Sequence, residues 1–423
     1  MNACAFTICA KNYIGLAKVL EKSIKKYSKD IDFLIIVADE FEKKPLVSNI
    51  LIAKDILLFE ENKWNELTFK YDLTEFCTCI KPFVFMYLFN SCNYKKICYF
   101  DPDILFFNSA DVIYDKLDNC EILVTPHNLF LSNNENDNIE DEIRGNGIFN
   151  FGFIGFSRGQ YSNSFLEWWG NRLLEKCFAD PNKCLFTDQK WGDFLPVCFS
   201  FDVLHISRDL GWNVAPWNFG ERKILINANK YYVTERDNET DKKNNLIFVH
   251  FSGYDYKSLF SGYIQQKNRG HDVLFEDLNI IFDNYKEALL RERQVIEEYL
   301  DKNYSYNYYS NNEKIEIFHR RLYHGLLIND IIIGNPFDSD NILFYRNIKK
   351  RKMFIRTNVN IEKITKFNMT KLDRKLYILN IFMRVIYKLF GYKNYILLLK
   401  LLRVYSRYEN QVHLINSSKN ILY

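Results

Sequence analysis

The feature that most constrains this chain is an alternation. Short apolar runs at residues 3–10, 31–38 and 96–100 are separated by stretches whose apolar residues recur at helical spacing, as Leu16, Val19, Leu20 and Ile24 do. Strands that alternate with helices assemble into an open α/β sheet. A run at 56–59 reads as a further strand. Residues 74–89 read as a buried helix, and Pro82 suits a first-turn position that would start it near Lys81. Residues 132–147 are polar and acidic and read as a loop able to close like a lid. The pattern continues as a strand at 148–157, an amphipathic helix at 164–178 and a last clear strand at 246–251. Residues 272–300 read as helical, and the Tyr- and Asn-rich stretch 301–312 as a linker. The expected divisions are 1–270, 271–340 and 341–423.

Chemistry concentrates where the 96–100 run ends, in Asp101-Pro102-Asp103. Ligands of open α/β sheets bind beyond the carboxyl ends of strands. Two carboxylates there, with Pro102 stiffening the turn, suit a hard divalent cation, which takes oxygen ligands and can neutralise a departing diphosphate. The plainer alternative is a solvated turn whose acids cap the next segment. His250 closes the apolar run 246–249 and is followed by Ser252 and Gly253, where backbone can approach a phosphate. An imidazole as third ligand favours Mn²⁺ over Mg²⁺. Lys257, a little further on, is placed to reach a pyrophosphate. Asp188 and Gln189 precede an apolar helical stretch; they read either as a cap or as groups that stabilise a carbon turning oxocarbenium-like. Trp168 and Trp169 read as core, and the 212–217 segment, with Trp212 and Trp217, as a loop beside an acceptor.

Several segments in order carry a resemblance. They are Thr7-Ile8-Cys9-Ala10-Lys11-Asn12-Tyr13, Cys79-Ile80-Lys81-Pro82, Tyr99-Phe100-Asp101-Pro102-Asp103, Asn150-Phe151-Gly152-Phe153, Asp188-Gln189 and His250-Phe251-Ser252-Gly253. Together they resemble the GT-A superfamily, most of all bacterial relatives of glycosyltransferase family 8. The resemblance implies a GT-A (nucleotide-diphospho-sugar transferase) Rossmann-like mixed sheet with helices on both faces, here with a helical basic C-terminal extension. It implies transfer of a sugar from a nucleotide-sugar, UDP-linked, to a glycan, lipid-linked or protein acceptor with retention. Thr7, Cys9, Ala10, Asn12 and Tyr13 would cradle the nucleoside, and Lys81 would contact the sugar-diphosphate. Asp101, Asp103 and His250 would hold the metal, with Asn150 and Gly152 near the donor sugar. Asp188 and Gln189 would lie beneath the reacting carbon, and Gly253 and Lys257 beside the phosphates. The chain departs from the pattern at Lys11 and Asn12, where acids are common, and the step from His250 to Lys257 is one residue longer. A sugar-phosphate nucleotidyltransferase would want a glycine-rich basic loop, which Ala10-Lys11-Asn12-Tyr13-Ile14-Gly15 matches poorly. A non-catalytic carbohydrate-binding relative would not need Asp101, Asp103 and His250 together.

Length and composition fit this outline. The 423 residues, 48% hydrophobic, suffice for a large core and a second unit. All ten cysteines fall between Cys4 and Cys198, several inside apolar runs, which suits free thiols in a reducing cytoplasm. Cys77 and Cys79 have no matching pair that would make a zinc site. Neither a secretory leader nor a membrane-spanning helix is expected. The net charge of +3 is uneven: residues 341–407 hold 17 Lys/Arg against Glu362 and Asp373. The basic, amphipathic stretch 342–404 suits an anionic membrane surface on the inner face of the membrane; the alternative is a helical appendage packed on the body. The acidic remainder would oppose a polyanion, so no nucleic acid is expected as a partner.

Overall fold

The computed structural model describes residues 2–41, 48–131, 139–228, 230–237, 243–266, 275–354 and 371–415. Its strands are β1 Ala3–Cys9, β2 Asp32–Val37, β3 Ile50–Ile52, β4 Lys96–Phe100, β5 Ile104–Phe106, β6 Ile122–Pro126, β7 Phe149–Ser157, β8 Ala179–Asp180, β9 Leu185–Phe186, β10 Leu204–Ile206, β11 Arg222–Asn227, β12 Lys230–Glu235, β13 Asn244–Asn245 and β14 Phe248–His250. By internal contacts the chain forms two compact units, Met1–Phe59 with Leu73–Ser305, and Glu60–Asp72 with Tyr306–Tyr423. Composition had suggested breaks at 270 and 340 instead.

The first unit is built on a seven-stranded sheet in the order β10-β6-β7-β4-β1-β2-β3. β1 pairs in parallel with β2 and β4, while β7 runs antiparallel to both β4 and β6. The sheet is therefore an open, mixed α/β sheet: the alternating pattern led one to expect the α/β sheet, and the resemblance its mixed character. β1 and β4 are buried along nearly their whole length, which is why they read as continuous apolar runs rather than alternating ones. The helix Ile14–Tyr27 lays Ile14, Ala17, Leu20 and Ile24 against this core. A second cluster gathers Leu105, Val249, Phe251, Phe282 and Tyr285 around the small antiparallel β5–β14 pair.

Three expectations need correction. The third strand is Ile50–Ile52, at the sheet edge beside β2, and 56–59 is not a strand. Leu57 there is buried but Leu58 is 96% exposed, and the segment pairs with no strand of the sheet. The polar stretch 132–147 holds a helix, Ile139–Asn146, seated by buried Ile139; residues 132–138 lie outside the described residues. Residues 301–312 are not a bare linker, because Tyr304, Tyr306 and Tyr309 are buried. The buried stretch 74–89 is two helices, Leu73–Cys79 and Lys81–Asn90, with Pro82 in the first turn of the second as anticipated.

The second unit joins the helix Glu61–Lys70 to the helix Ile317–Ile328 and the elements after it. Arg320, 2% exposed, fastens them. Its Nη1 donates to the carbonyls of Thr68, Phe69 and Tyr71, and its Nη2 to the carbonyl of Tyr306. Trp64 Nε1 donates to the Tyr306 hydroxyl at 2.7 Å. Phe69, Leu322, Phe344 and Val412 share the core. The basic C-terminal stretch contains the helix Leu372–Tyr405, interrupted at Gly391; residues 355–370 lie outside the described residues.

Candidate metal centre and its surroundings

β4 delivers Asp101 to the carboxyl edge of the sheet, where its backbone N–H donates to the Gly152 carbonyl of β7 at 2.8 Å. The chain then turns into β5, which pairs antiparallel with β14 so that Ile104 faces His250. Phe251 N–H donates to the Asp103 carbonyl at 2.9 Å. This register is what carries a histidine from far along the chain to the two acids. His250 Nε2 lies 3.1 Å from Asp103 Oδ1 and 3.6 Å from Asp101 Oδ2. Among the described residues, Asp101, Asp103 and His250 form the one group of three whose ligand atoms, all within 4.8 Å of one another, could hold a metal ion.

The electrostatics of this trio are unbalanced. Burial, the largest influence, pushes the Asp101 carboxyl above the usual carboxylate range, and Asp103 adds to the push. His250, Lys81 and the Tyr99 hydroxyl pull the other way. That hydroxyl donates to Asp101 Oδ1 at 2.5 Å. For His250, burial opposes the charged form, yet Asp103 and Asp101 outweigh it and the imidazole is raised. Its Nδ1 is buried without a partner. Two carboxylates against one imidazole leave a net deficit of positive charge. Oxygen and nitrogen donors in such a cluster fit a divalent cation. Gly152 is required by the crowding: a Cβ there would fall on the His250 ring and 2.7 Å from Asp101 Oδ2.

A second charged group sits beside the first. Lys81 is 1% exposed; its Nζ donates to Asp188 Oδ2 at 2.5 Å and to the Phe151 carbonyl at 2.8 Å, and lies 4.1 Å from the Tyr99 ring centre. Asp188 Oδ1 accepts from the Thr187 hydroxyl, and its carbonyl from Trp169 Nε1. The predicted cap at Asp188 makes no side-chain cap bond; its carboxylate is turned to Lys81 instead. Gln189 Oε1 accepts from Phe151 N–H at 3.2 Å and from Asn150 Nδ2 at 3.4 Å, while its Nε2 donates to the Asn146 carbonyl. Asn150 Oδ1 accepts from Gly152 N–H and from Asn213 Nδ2. Lys81, Asn150, Gly152, Asp188 and Gln189 are thus brought together with the metal trio.

The β1 end is quieter. Thr7, Cys9 and Ala10 are buried, and Thr7 Oγ1 and Asn12 Oδ1 are buried without partners. The Cys9 thiol is pushed far up by burial. Tyr13 packs its ring 5.5 Å from Tyr256. Burial raises its phenol first, and Asp103 next, which places it within electrostatic reach of the acids. Lys11, out of step with the family pattern, is engaged: its Nζ donates to the Ser305 hydroxyl at 2.8 Å and lies 3.5 Å from buried Asp39. Gly253 follows the strand, but Lys257 is exposed on the short helix Tyr256–Phe260 and is not drawn into the cluster.

Tyr99 and Asn213, read only as parts of the 99–103 segment and the 212–217 loop, and His127, which drew no reading, all contact site residues. Tyr99 lay in an apolar strand and looked like filler. Asn213 (φ 52) turns its side chain onto Thr125 Oγ1 and Asn150 Oδ1, a left-handed turn that only its own type hints at. Trp217 stands edge-on to both His250 and His127, at 5.2 and 5.1 Å, as a pocket-side residue would, while Trp212 is packed in the core against Phe153. Trp169 is buried, as expected.

No family model matches the chain. It is 26% identical over 294 residues to the uncharacterized protein YfnF of Bacillus subtilis (strain 168), covering 68% of this chain and 92% of that protein. It is 24% identical over 183 residues to YfnD of the same organism, covering 43% of this chain and 54% of that protein. Among solved structures, it is similar in fold to the galactosyltransferase LgtC in complex with donor and acceptor sugar analogs (TM-score 0.42, 15% identity, 68% of this chain and 95% of that one). It is also similar to the apo bifunctional glycosyltransferase WbbM (0.38, 13%, 71% and 52%) and to apo mouse xyloside xylosyltransferase 1 (0.33, 12%, 59% and 97%).

Proposed function

We propose that this chain is a GT-A-type glycosyltransferase that moves a sugar from a UDP-sugar to a glycan, lipid-linked or protein acceptor, with retention. The observation that carries this reading is the convergence of Asp101, Asp103 and His250, from two strands far apart in sequence, at the carboxyl edge of the sheet. A bound Mn²⁺, favoured over Mg²⁺ by the imidazole donor, would supply charge neutralisation to the leaving diphosphate. Thr7, Cys9, Ala10, Asn12 and Tyr13 border the nucleoside. The unpartnered Thr7 Oγ1 and Asn12 Oδ1 support that, since buried polar atoms ordinarily find partners. Gly253 lets backbone approach the phosphates; Lys257, exposed and outside the cluster, would have to swing inward to join them.

Lys81 acts through Asp188. It fixes the carboxylate's direction and neutralises much of its charge, so Asp188 stabilises a developing oxocarbenium as an oriented dipole. Gln189 and Asn150, locked to each other and to the Phe151 and Gly152 backbone, shape the floor under the sugar. The basic C-terminal stretch brings the enzyme to an anionic membrane surface on the cytoplasmic side, where a lipid-linked acceptor would be presented.

The test is calorimetric and kinetic together. With Mn²⁺ present, UDP should bind and raise the melting temperature by mass action. Asp103→Ala should leave the fold intact, abolish the Mn²⁺-dependent part of that binding and lower turnover at least ~10²-fold. Unchanged Mn²⁺-dependent binding in this variant would reject the site.

A further inference from the structure

The helix Leu372–Tyr405 is a long element with no buried residue anywhere along it. Gly391 (φ 72, ψ 170) divides it into arms at 372–390 and 392–405, and a ring contact between Tyr387 and Tyr395 at 5.7 Å spans the bend. Each arm is two-faced. In the first, Arg374, Arg384 and Lys388 fall on one stripe; Ile378, Phe382, Val385 and Leu389 form an apolar strip beside it, and Leu379, Met383, Ile386 and Phe390 lie on the opposite side, with Lys375 alone interrupting the apolar arc. In the second, Lys393, Lys400 and Arg403 form the stripe, opposite Leu398, Leu401 and Tyr405. The apolar sides face outward: Phe382 is 59% and Leu389 72% exposed.

Phase gives the bend a purpose. At ~100° per residue, the two basic stripes would be rotated by about 100° from one another in an unbroken helix. One flat surface could not then be met by both apolar faces. A glycine in a backbone region closed to other residues breaks the helix and lets each arm turn on its own.

We infer that this bent pair of arms is a docking device for an anionic lipid surface: it lies in the plane of the headgroups with both apolar faces down, and Gly391 brings the faces into phase. This rests on the proposed membrane attachment and not on the proposed chemistry. Charge selects the partner, since the helix carries seven Lys/Arg against Asp373 alone. Among the described residues no helix is long and apolar enough to cross a membrane, which fits arms lying along the surface.

The full chain should cosediment with vesicles containing phosphatidylglycerol and bind at least tenfold more weakly to pure phosphatidylcholine. The exposed double variant Phe382→Asp/Leu389→Asp should lose at least tenfold of the anionic-vesicle binding, and Arg384→Glu/Lys388→Glu a similar amount. Gly391→Ala should weaken it several-fold without loss of helix by circular dichroism. Mn²⁺-dependent UDP binding should stay unchanged in all three, which separates failure here from failure of the catalytic site. Equal sedimentation of wild type and the Phe382/Leu389 variant would overturn the inference. So would a dimer, seen by light scattering, that the same variant splits, because the apolar faces would then meet a second copy of the chain.

Discussion

Two charged groups lie side by side at the edge of the sheet and are built on opposite plans. Asp188 is matched: its buried carboxylate has a buried ammonium 2.5 Å away and a hydroxyl on its other oxygen. Asp101 and Asp103 are not: they share one imidazole, and burial pushes Asp101 up. A matched pair is a finished piece of structure and holds its geometry through a reaction. An under-neutralised cluster is unfinished and keeps a place for a positive ligand. On the proposed function the contrast gives positioning to the first and cation capture to the second, although both present as acids beside a base.

Removing one partner from the matched pair should produce the largest effect on stability. Lys81→Met leaves Asp188 buried and uncompensated, and should cost about 3–5 kcal/mol in denaturant unfolding. Lys81→Met/Asp188→Asn should recover much of that loss. Equal destabilisation of the single and double variants would show that the pair is not matched. Gly152→Ala attacks the other group by crowding: its Cβ meets the His250 ring and Asp101 Oδ2. It should cost about 1–3 kcal/mol as overpacking does and weaken Mn²⁺ binding, read by titration calorimetry, at least tenfold. Tyr99→Phe is the most local probe. It removes a single hydrogen bond to Asp101, worth roughly 1.5–3 kcal/mol when the acceptor is charged. If the metal takes over that role, the loss should appear in the metal-free protein and shrink when Mn²⁺ is present.

Much of this was legible in the chain. The β4 strand followed by Asp101-Pro102-Asp103 is readable because apolar burial and a sudden pair of acids are both local signals. His250 was readable for the same reason, as the polar end of an apolar strand. What joins them is not local: the antiparallel pairing of β5 with β14 sets one residue opposite another across a long stretch of the sequence. The Lys81–Asp188 pair was hidden likewise, because a lysine in a helix and an aspartate before one announce nothing about each other. The strand expected at 56–59 failed because apolar content says nothing about whether a neighbour exists to accept the ladder bonds. The helix at Ile139–Asn146 was missed because its one buried anchor, Ile139, gives almost no periodic signal.

The second unit borrows Glu60–Asp72 from early in the chain and finishes it with residues from Tyr306 onward. On a ribosome, Trp64 and Phe69 emerge long before Tyr306 and Arg320 exist. At ~5–20 residues per second that interval is roughly 10–50 s. For that time a tryptophan and a phenylalanine destined for the interior wait in water, tethered at both ends to a sheet that can already have formed. Removing everything after Ser305 would make the wait permanent, so a shortened chain should gain solubility only if 60–72 is shortened with it.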